Sequence, residues 1–270
     1  MFFFKKHISI CAIVGARNES NYLKILFPLL AEQGIDIAVV DNGSTDGSLE
    51  LYSSFAGKPV VKVQHLPYPG FVSMSSILSA KQDICKEIKH DWVIHHDADE
   101  IMEHYKPGKT LRHAIEEAHK AGYNALNFDE FVFLPEPDSD YSNRNHYKEL
   151  LRYYFFEPRK NRLNRAWKRN AKLIQISGGH QLKGNSLSIA PENHIMRHYI
   201  TLNQQHLIQK YLNRIYDEKE IARGQHYNRL NFTEAALKLP TSSDFIFQLE
   251  KYNSREFHRD HPTKKHFWEW

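Results

Sequence analysis

The chain has 270 residues, 41% of them hydrophobic, which is enough for one large domain, or one domain with a modest appendage, and too apolar for a disordered chain. Lys and Arg number 36 against 32 Asp and Glu, a formal charge of +4, which excludes the dense basic stripe of a nucleic-acid binder. Two cysteines, Cys11 and Cys85, cannot build a disulfide framework, and residues 1–7 place their charges after their apolar residues, the wrong order for a signal peptide, so a cytoplasmic protein is expected.

In chain order, residues 8–14 form an Ile-rich apolar run bounded by Gly15, the pattern of a buried parallel strand. Leu23, Leu26, Leu29 and Leu30 fall at helical spacing and Gly34 closes that helix; Pro28 predicts a kink or a short first turn. Residues 35–40 read as a second strand, 44–55 as a helix, 60–63 as a third strand, 76–88 as a helix and 92–94 as a fourth strand. A helix over 110–122 and a strand over 125–133 follow. This alternation predicts an α/β fold around a mostly parallel sheet covered on both faces.

The second half reads differently. Residues 147–156 are aromatic-rich and could be a strand, and 172–176 and 187–189 are short strand candidates. Residues 201–223 predict one long helix with an apolar stripe of Leu207, Ile208, Tyr211, Leu212 and Ile215, and the tail after Pro240 is polar and aromatic. No apolar run approaches the roughly 18 residues of a membrane span, so any membrane contact is expected to be peripheral, at the inner face.

In open α/β sheets ligands sit beyond the carboxyl ends of the strands. The clusters Arg17-Asn18-Glu19, Asp41-Asn42-Gly43-Ser44 and Asp97-Ala98-Asp99 each follow a predicted strand. Asp97 and Asp99, one residue apart, can share a divalent cation, and hard oxygen ligands suit Mg²⁺ or Mn²⁺. Such a cation neutralises a diphosphate leaving group. An acidic turn capping the next helix is the plainer alternative.

Taken together, residues 16–20, residues 39–48, and Asp91-Trp92-Val93-Ile94 leading to Asp97-Ala98-Asp99-Glu100 resemble glycosyltransferase family 2, in its branch with a D-A-D-E element. The resemblance covers about residues 7–130. It implies a GT-A fold with a Rossmann-like nucleotide-binding domain, a nucleotide-sugar donor with uracil as the expected base, a divalent metal, and an inverting hexosyl transfer. The division it implies is a GT-A domain over 1–200, with a nucleotide-binding half to about 130 and an acceptor half after it, and a helix and tail over 201–270 packed upon it. By position, Asp41 would contact the base or ribose, in a loop with Gly43 and Ser44, and Arg17, Asn18 and Glu19 would line the same pocket. Asp97 would sit near ribose and metal, and Asp99 would ligate the metal. Asn42 departs from members that carry a second Asp there. Residues 172–180 resemble a segment that supplies a late imidazole, so His180 is a third candidate metal ligand and Lys172 a candidate counter-charge for phosphate. His198-Tyr199 also resembles an element of this branch and reads as packing or acceptor-side structure.

An inverting transferase needs a base for the acceptor hydroxyl proton. Glu130 and Asp129 lie on the strand after the metal motif; neighbours in a strand face opposite sides, so only one can point into the cleft, and Glu130 is preferred, with Asp129 in reserve and Glu136 and Glu192 as further options. The acceptor would be a surface polysaccharide or other glycan, a lipid carrier, or a protein. The rival readings are a sugar-nucleotide nucleotidyltransferase, which should carry a Gly-rich phosphate loop after the first strand; a dehalogenase-type phosphatase, whose D-x-D belongs on the first strand; and a non-catalytic nucleotide-binding module.

Overall fold

The computed structural model describes residues 7–212, 214–226 and 229–270. Four parallel strands form its N-terminal half: β1 (Ile10–Ala16), β2 (Asp36–Asp41), β3 (Val60–His65) and β4 (Trp92–Asp97), in the order β3-β2-β1-β4. Both faces of β1 are covered, with Cys11, Ile13 and Val14 all buried, which is why its sequence is a run and not an alternation. Helices α1 (Ser20–Glu32), α2 (Ser48–Ser54) and α3 (Met74–Glu87) make the crossovers. Helix α1 runs through Pro28 as a single element from Ser20 to Glu32.

Helix α2 begins four residues later than its sequence pattern suggests, because residues 44–47 are taken by loop bonds. Asn18 Oδ1 accepts from the Thr45 N–H at 2.7 Å, and Ser44 Oγ accepts from the Asn18 N–H at 3.0 Å. Asp46 accepts from the first N–H groups of both α1 and α2, Ser20 at 2.9 Å and Ser48 at 3.1 Å. The two strand-end loops are thus stitched together before any ligand is considered.

After β4 a tight turn leads to β5 (Glu100–Glu103), α4 (Leu111–Lys120) and β6 (Ala125–Phe133). The aromatic stretch expected as one strand splits into a short helix, α5 (His146–Glu149), and β7 (Arg152–Phe156). Strand β8 (Ala166–Lys168) inserts antiparallel between β4 and β6. Strands β9 (Ile174–Ile176) and β10 (Gln181–Lys183) make a separate hairpin. The candidate at 187–189 is only the start of β11 (Ile189–Tyr199), which lies parallel to β6 and antiparallel to β5. Strands β1 to β4, β6 and β11 run one way, and β5, β7 and β8 run against them.

The expected long helix over 201–223 does not form. Helix α6 (Gln204–Tyr211) ends, the chain bridges Val72 through Tyr216, and a second short helix, α7 (Glu218–Ile221), follows. The bridge is backbone bonding that a helix would forgo: Val72 N–H to the Ile215 carbonyl at 2.8 Å, and Asp217 N–H to the Val72 carbonyl at 2.9 Å. Ile215, assigned to the apolar stripe, is 62% exposed. The tail returns to the sheet, where β12 (Phe247–Gln248) pairs with β7 and Thr263 bridges Phe156. It is held by a buried charge cluster in which Glu103 accepts from Arg197 at 2.6 Å, Tyr147 at 2.6 Å and Arg255 at 2.7 Å. Among the described residues no helix is long and apolar enough to cross a membrane.

Asp46→Ala should lower stability by about 1–2 kcal/mol, the usual value of an N-terminal helix cap, read from urea unfolding. Partial burial alone would raise the Asp46 pKa, but the Ser48 and Ser20 bonds outweigh it and hold it below the ordinary value. Its contribution is therefore present above the ordinary Asp range and is lost as pH falls through the depressed folded value, so the difference between wild type and Asp46→Ala should shrink on acidification.

Candidate active site

The cleft opens beyond the carboxyl ends of β1 and β4, and the turn Asp97-Ala98-Asp99 forms part of its floor. Asp97 is held from below. Lys81 crosses from α3 and donates to Asp97 Oδ1 at 3.0 Å and to the His96 carbonyl at 2.8 Å. Its stem passes Gly15 so closely that a Cβ there would meet Lys81 Cε at 2.8 Å. Arg165, just before β8, donates to Glu100 at 2.5 Å and reaches Asp97 at 3.4 Å. Burial alone would raise the Asp97 pKa, but the Lys81 and Arg165 charges hold it well below the usual carboxylate range.

Asp99 faces a second group of cations. Lys210 of α6 donates to Asp99 Oδ2 at 2.8 Å and lies 3.6 Å from Glu19. His198 Nε2 lies 3.4 Å from the same Asp99 oxygen, and its Nδ1 is 2.6 Å from Glu130. Burial works against a charged His198, but the Asp99 and Glu130 carboxylates outweigh it and raise its pKa well above the usual range. Burial likewise pushes Glu19 up to about 7, with the Lys210 charge opposing.

Strand alternation sends the two candidate bases to opposite sides of β6. Glu130 lines the cleft, whereas Asp129 points to the other side of β6 and pairs with Arg259 and Asn193, so Asp129 is corrected out of the site. Glu130 has both oxygens engaged, one by His198 and one by Arg162 at 2.5 Å. Burial would raise its pKa, but the His198 bond and the Arg162 charge hold it low, which suits an orienting group better than a proton acceptor.

Other expectations shift as well. Lys172 lies away from the cleft, in a left-handed turn beside Asn185 and Ser186, so it cannot offset phosphate charge there. His180 lines the cleft but makes no hydrogen bond or ion pair with either aspartate; the imidazole that reaches Asp99 is His198, read from sequence as packing. Asp41 is buried with its oxygens turned to the Tyr52 hydroxyl at 3.1 Å and the Ser44 N–H at 3.2 Å. Gly43, at φ 70°, lets the loop pass Tyr68, whose ring carries the Arg17 guanidinium at 3.6 Å. Asn18 and Ser44 bond each other across the loops, and of the first cluster Arg17 and Glu19 face the cleft. Lys81, Arg162, Arg165, Lys210, Arg214, Arg229 and His266 also line or underlie the site without having been singled out. Only Lys81 left a trace, as a charge on the otherwise apolar face of α3 with Ile77, Ala80 and Ile84.

An α/β sheet with polar, cation-rich loops gathered beyond the ends of its parallel strands is an architecture of nucleotide-binding enzymes. Residues 11–203 match the model of Glycosyl transferase family 2, and the chain belongs to that family. No match was found among curated proteins. Among solved structures, those of S. aureus TarS are similar in outline. TarS 1–349 in complex with UDP-GlcNAc is 13% identical with a TM-score of 0.47, over 85% of this chain and 78% of that one. The complex of the same piece with UDP is 13% identical with a TM-score of 0.46, over 86% and 76%. A longer TarS chain, 13% identical with a TM-score of 0.46, is covered over 41% of its length.

Arg165→Met would leave Glu100, which is 2% exposed, as a buried carboxylate without its guanidinium. Stability should fall by about 3–5 kcal/mol, and the double variant Arg165→Met/Glu100→Leu should recover most of it. Equal loss in both variants, by chemical denaturation, would show that Arg165 acts through packing instead of charge.

Proposed function

We propose that this family 2 glycosyltransferase moves a hexosyl group from a nucleoside-diphosphate sugar, with uracil as the expected base, to a hydroxyl of a glycan or lipid-linked acceptor. The observation that carries this reading is the Asp97-Ala98-Asp99 turn set between two groups of cations at the ends of parallel strands. An acceptor hydroxyl oxygen attacks the anomeric carbon, the bond to the diphosphate breaks, the hydroxyl proton passes to a carboxylate lining the cleft such as Glu19 or through water to the departing diphosphate, and inversion follows from attack opposite the leaving group. The leaving diphosphate gathers negative charge as the bond breaks, and a cationic cleft favours that state over the intact donor.

The chain's residues fit a divalent ion at Asp99 and His198. Their facing atoms are 3.4 Å apart, the spacing of two ligands of one ion each at about 2.1 Å. Glu130 on Nδ1 orients the ring, and an ion at Nε2 would displace the proton that the two carboxylates hold on His198. Among the described residues no three carboxylate, imidazole or thiol groups are gathered for an ion, so phosphate oxygens and water would complete the shell. Lys210 competes for the same Asp99 oxygen, and its flexible stem can turn the ammonium to a phosphate instead. Mn²⁺ or Mg²⁺ would act as a Lewis acid on the diphosphate. Glu130 is a positioning residue in this scheme, Lys81 and Arg165 hold Asp97 in place, and Asp97 turns toward the ribose.

A donor panel scored for nucleotide release should show turnover that stops in chelator and returns with Mn²⁺. Asp99→Ala should lower kcat by about 100-fold or more, since a metal's charge stabilisation is several kcal/mol and each 1.4 kcal/mol is tenfold. Glu130→Gln should weaken metal activation by about 10–100-fold, recovered in part by excess Mn²⁺. Full activity in chelator removes the ion from the scheme, and pyrophosphate release from a nucleoside triphosphate would replace transfer with nucleotidyl chemistry.

A further inference from the structure

Among the described residues six lysines and arginines line the cleft: Arg17, Arg162, Arg165, Lys210, Arg214 and Arg229. Arg162 pairs with Glu130, Arg165 with Glu100 and Asp97, and Lys210 with Asp99. Among the described residues the other three make no ion pair with a carboxylate. Each is set against a tyrosine ring instead: Arg17 at 3.6 Å from the Tyr68 centroid, Arg214 at 5.5 Å from Tyr216, and Arg229 at 5.8 Å from Tyr211. Tyrosine faces orient guanidiniums without neutralising them. Several unneutralised cations brought to one low-dielectric cleft repel one another, and an anionic ligand with several charges relieves that cost.

Where that anion sits follows from the chain. Lys210, Tyr211 and Arg214 leave α6 in sequence, and Lys210 touches Asp99. The Arg214 charge also acts on Glu19, the carboxylate that shares Lys210. Arg214 and Arg229 both lie against the Tyr211 ring, at 5.9 and 5.8 Å, beside the Lys210 that holds Asp99, and both lie beyond residue 203, where the family match stops.

We propose that Arg214 and Arg229 clamp the diphosphate of the donor, so that the segment after residue 203 supplies the phosphate half of the nucleotide site. The inference rests on the donor reading above and gives it a binding pair that the family-matched residues do not contain. A guanidinium fork suits two phosphate oxygens at once, and with a divalent ion on the Asp99 side the arginines would neutralise the oxygens that the ion leaves free.

The test is calorimetric titration of the full chain with UDP, UMP and uridine, in the wild type and in Arg214→Gln and Arg229→Gln. UDP affinity should fall about 10-fold or more in each variant, with uridine changed by less than about 2-fold and UMP between them. Arg229→Lys, which keeps the charge and loses the fork, should fall between wild type and Arg229→Gln, and it serves where the glutamine variant folds poorly. Unchanged UDP affinity in both variants overturns the clamp, as when the two arginines meet a phosphorylated acceptor instead. Parallel loss of UDP and uridine overturns it too, because a general structural role would move both. If the wild type binds no nucleoside diphosphate at all, the donor reading itself fails.

Discussion

The His198 imidazole, fixed between the carboxylates of Asp99 and Glu130, joins three strands that are far apart in sequence. Asp99 follows β4, Glu130 lies on β6, and His198 reaches both because β11 lies between β5 and β6. Its register is not uniform: Ile189 faces Ala125, yet Asn193 faces Asn127, so β11 spends two extra residues there. That irregularity draws His198 back along β6 by two residues, about 6–7 Å, and keeps it on the face of Glu130. A shift of one residue would turn the imidazole to the opposite face and leave both carboxylates without it.

Around this contact the cleft's acids are cross-braced. Asp97 is fixed by Lys81 and Arg165, Glu100 by Arg165, Asp99 by Lys210 and His198, and Glu130 by Arg162 and His198. Buried charges of this kind are tolerated only when paired, and removing one partner exposes the other to the full cost of burial. The braces also keep side chains that would otherwise be mobile in one geometry, which is what a site for transferring a group between two bound molecules needs. Arg17, Arg214 and Arg229 stand outside the pairing, and they give the cleft its surplus of positive charge.

The parallel half of the sheet was legible because its strands are runs buried on both faces and its helices carry regular apolar spacing. The Asp97-Ala98-Asp99 turn was legible because its position after a strand adds to its composition. The second half was not. Strand β11 carries Glu192, Asn193, His194, Arg197 and His198, and a strand whose polar residues are satisfied by partners far along the chain has no periodic signal. The stripe over residues 201–223 favoured a helix locally, but the backbone bonds of Ile215 and Asp217 to Val72 break it, and nothing near in sequence announces Val72. Asp41 ends β2, the place of a ligand-binding acid, yet the Tyr52 hydroxyl of α2 donates to its oxygen; a strand-end acid can serve a ligand or its own loop, and spacing does not distinguish them.

The tail that pairs β12 with β7 and sets Thr263 beside Phe156 has a consequence in time. A ribosome releases the parallel half first, and its strands and crossover helices can settle with near neighbours. Arg229 and His266 come to the cleft only with chain made after residue 203, as do the residues that cover the outer edge of β7. The half-made protein would hold its acidic turn in place with part of its cationic wall still unmade. At about 5–20 residues per second, the interval between residue 203 and residue 266 is several seconds, during which the aromatic edge at Tyr153 and Phe155 is open to solvent and to other chains. The surface covered only after that interval is therefore one on which a chaperone has time to act.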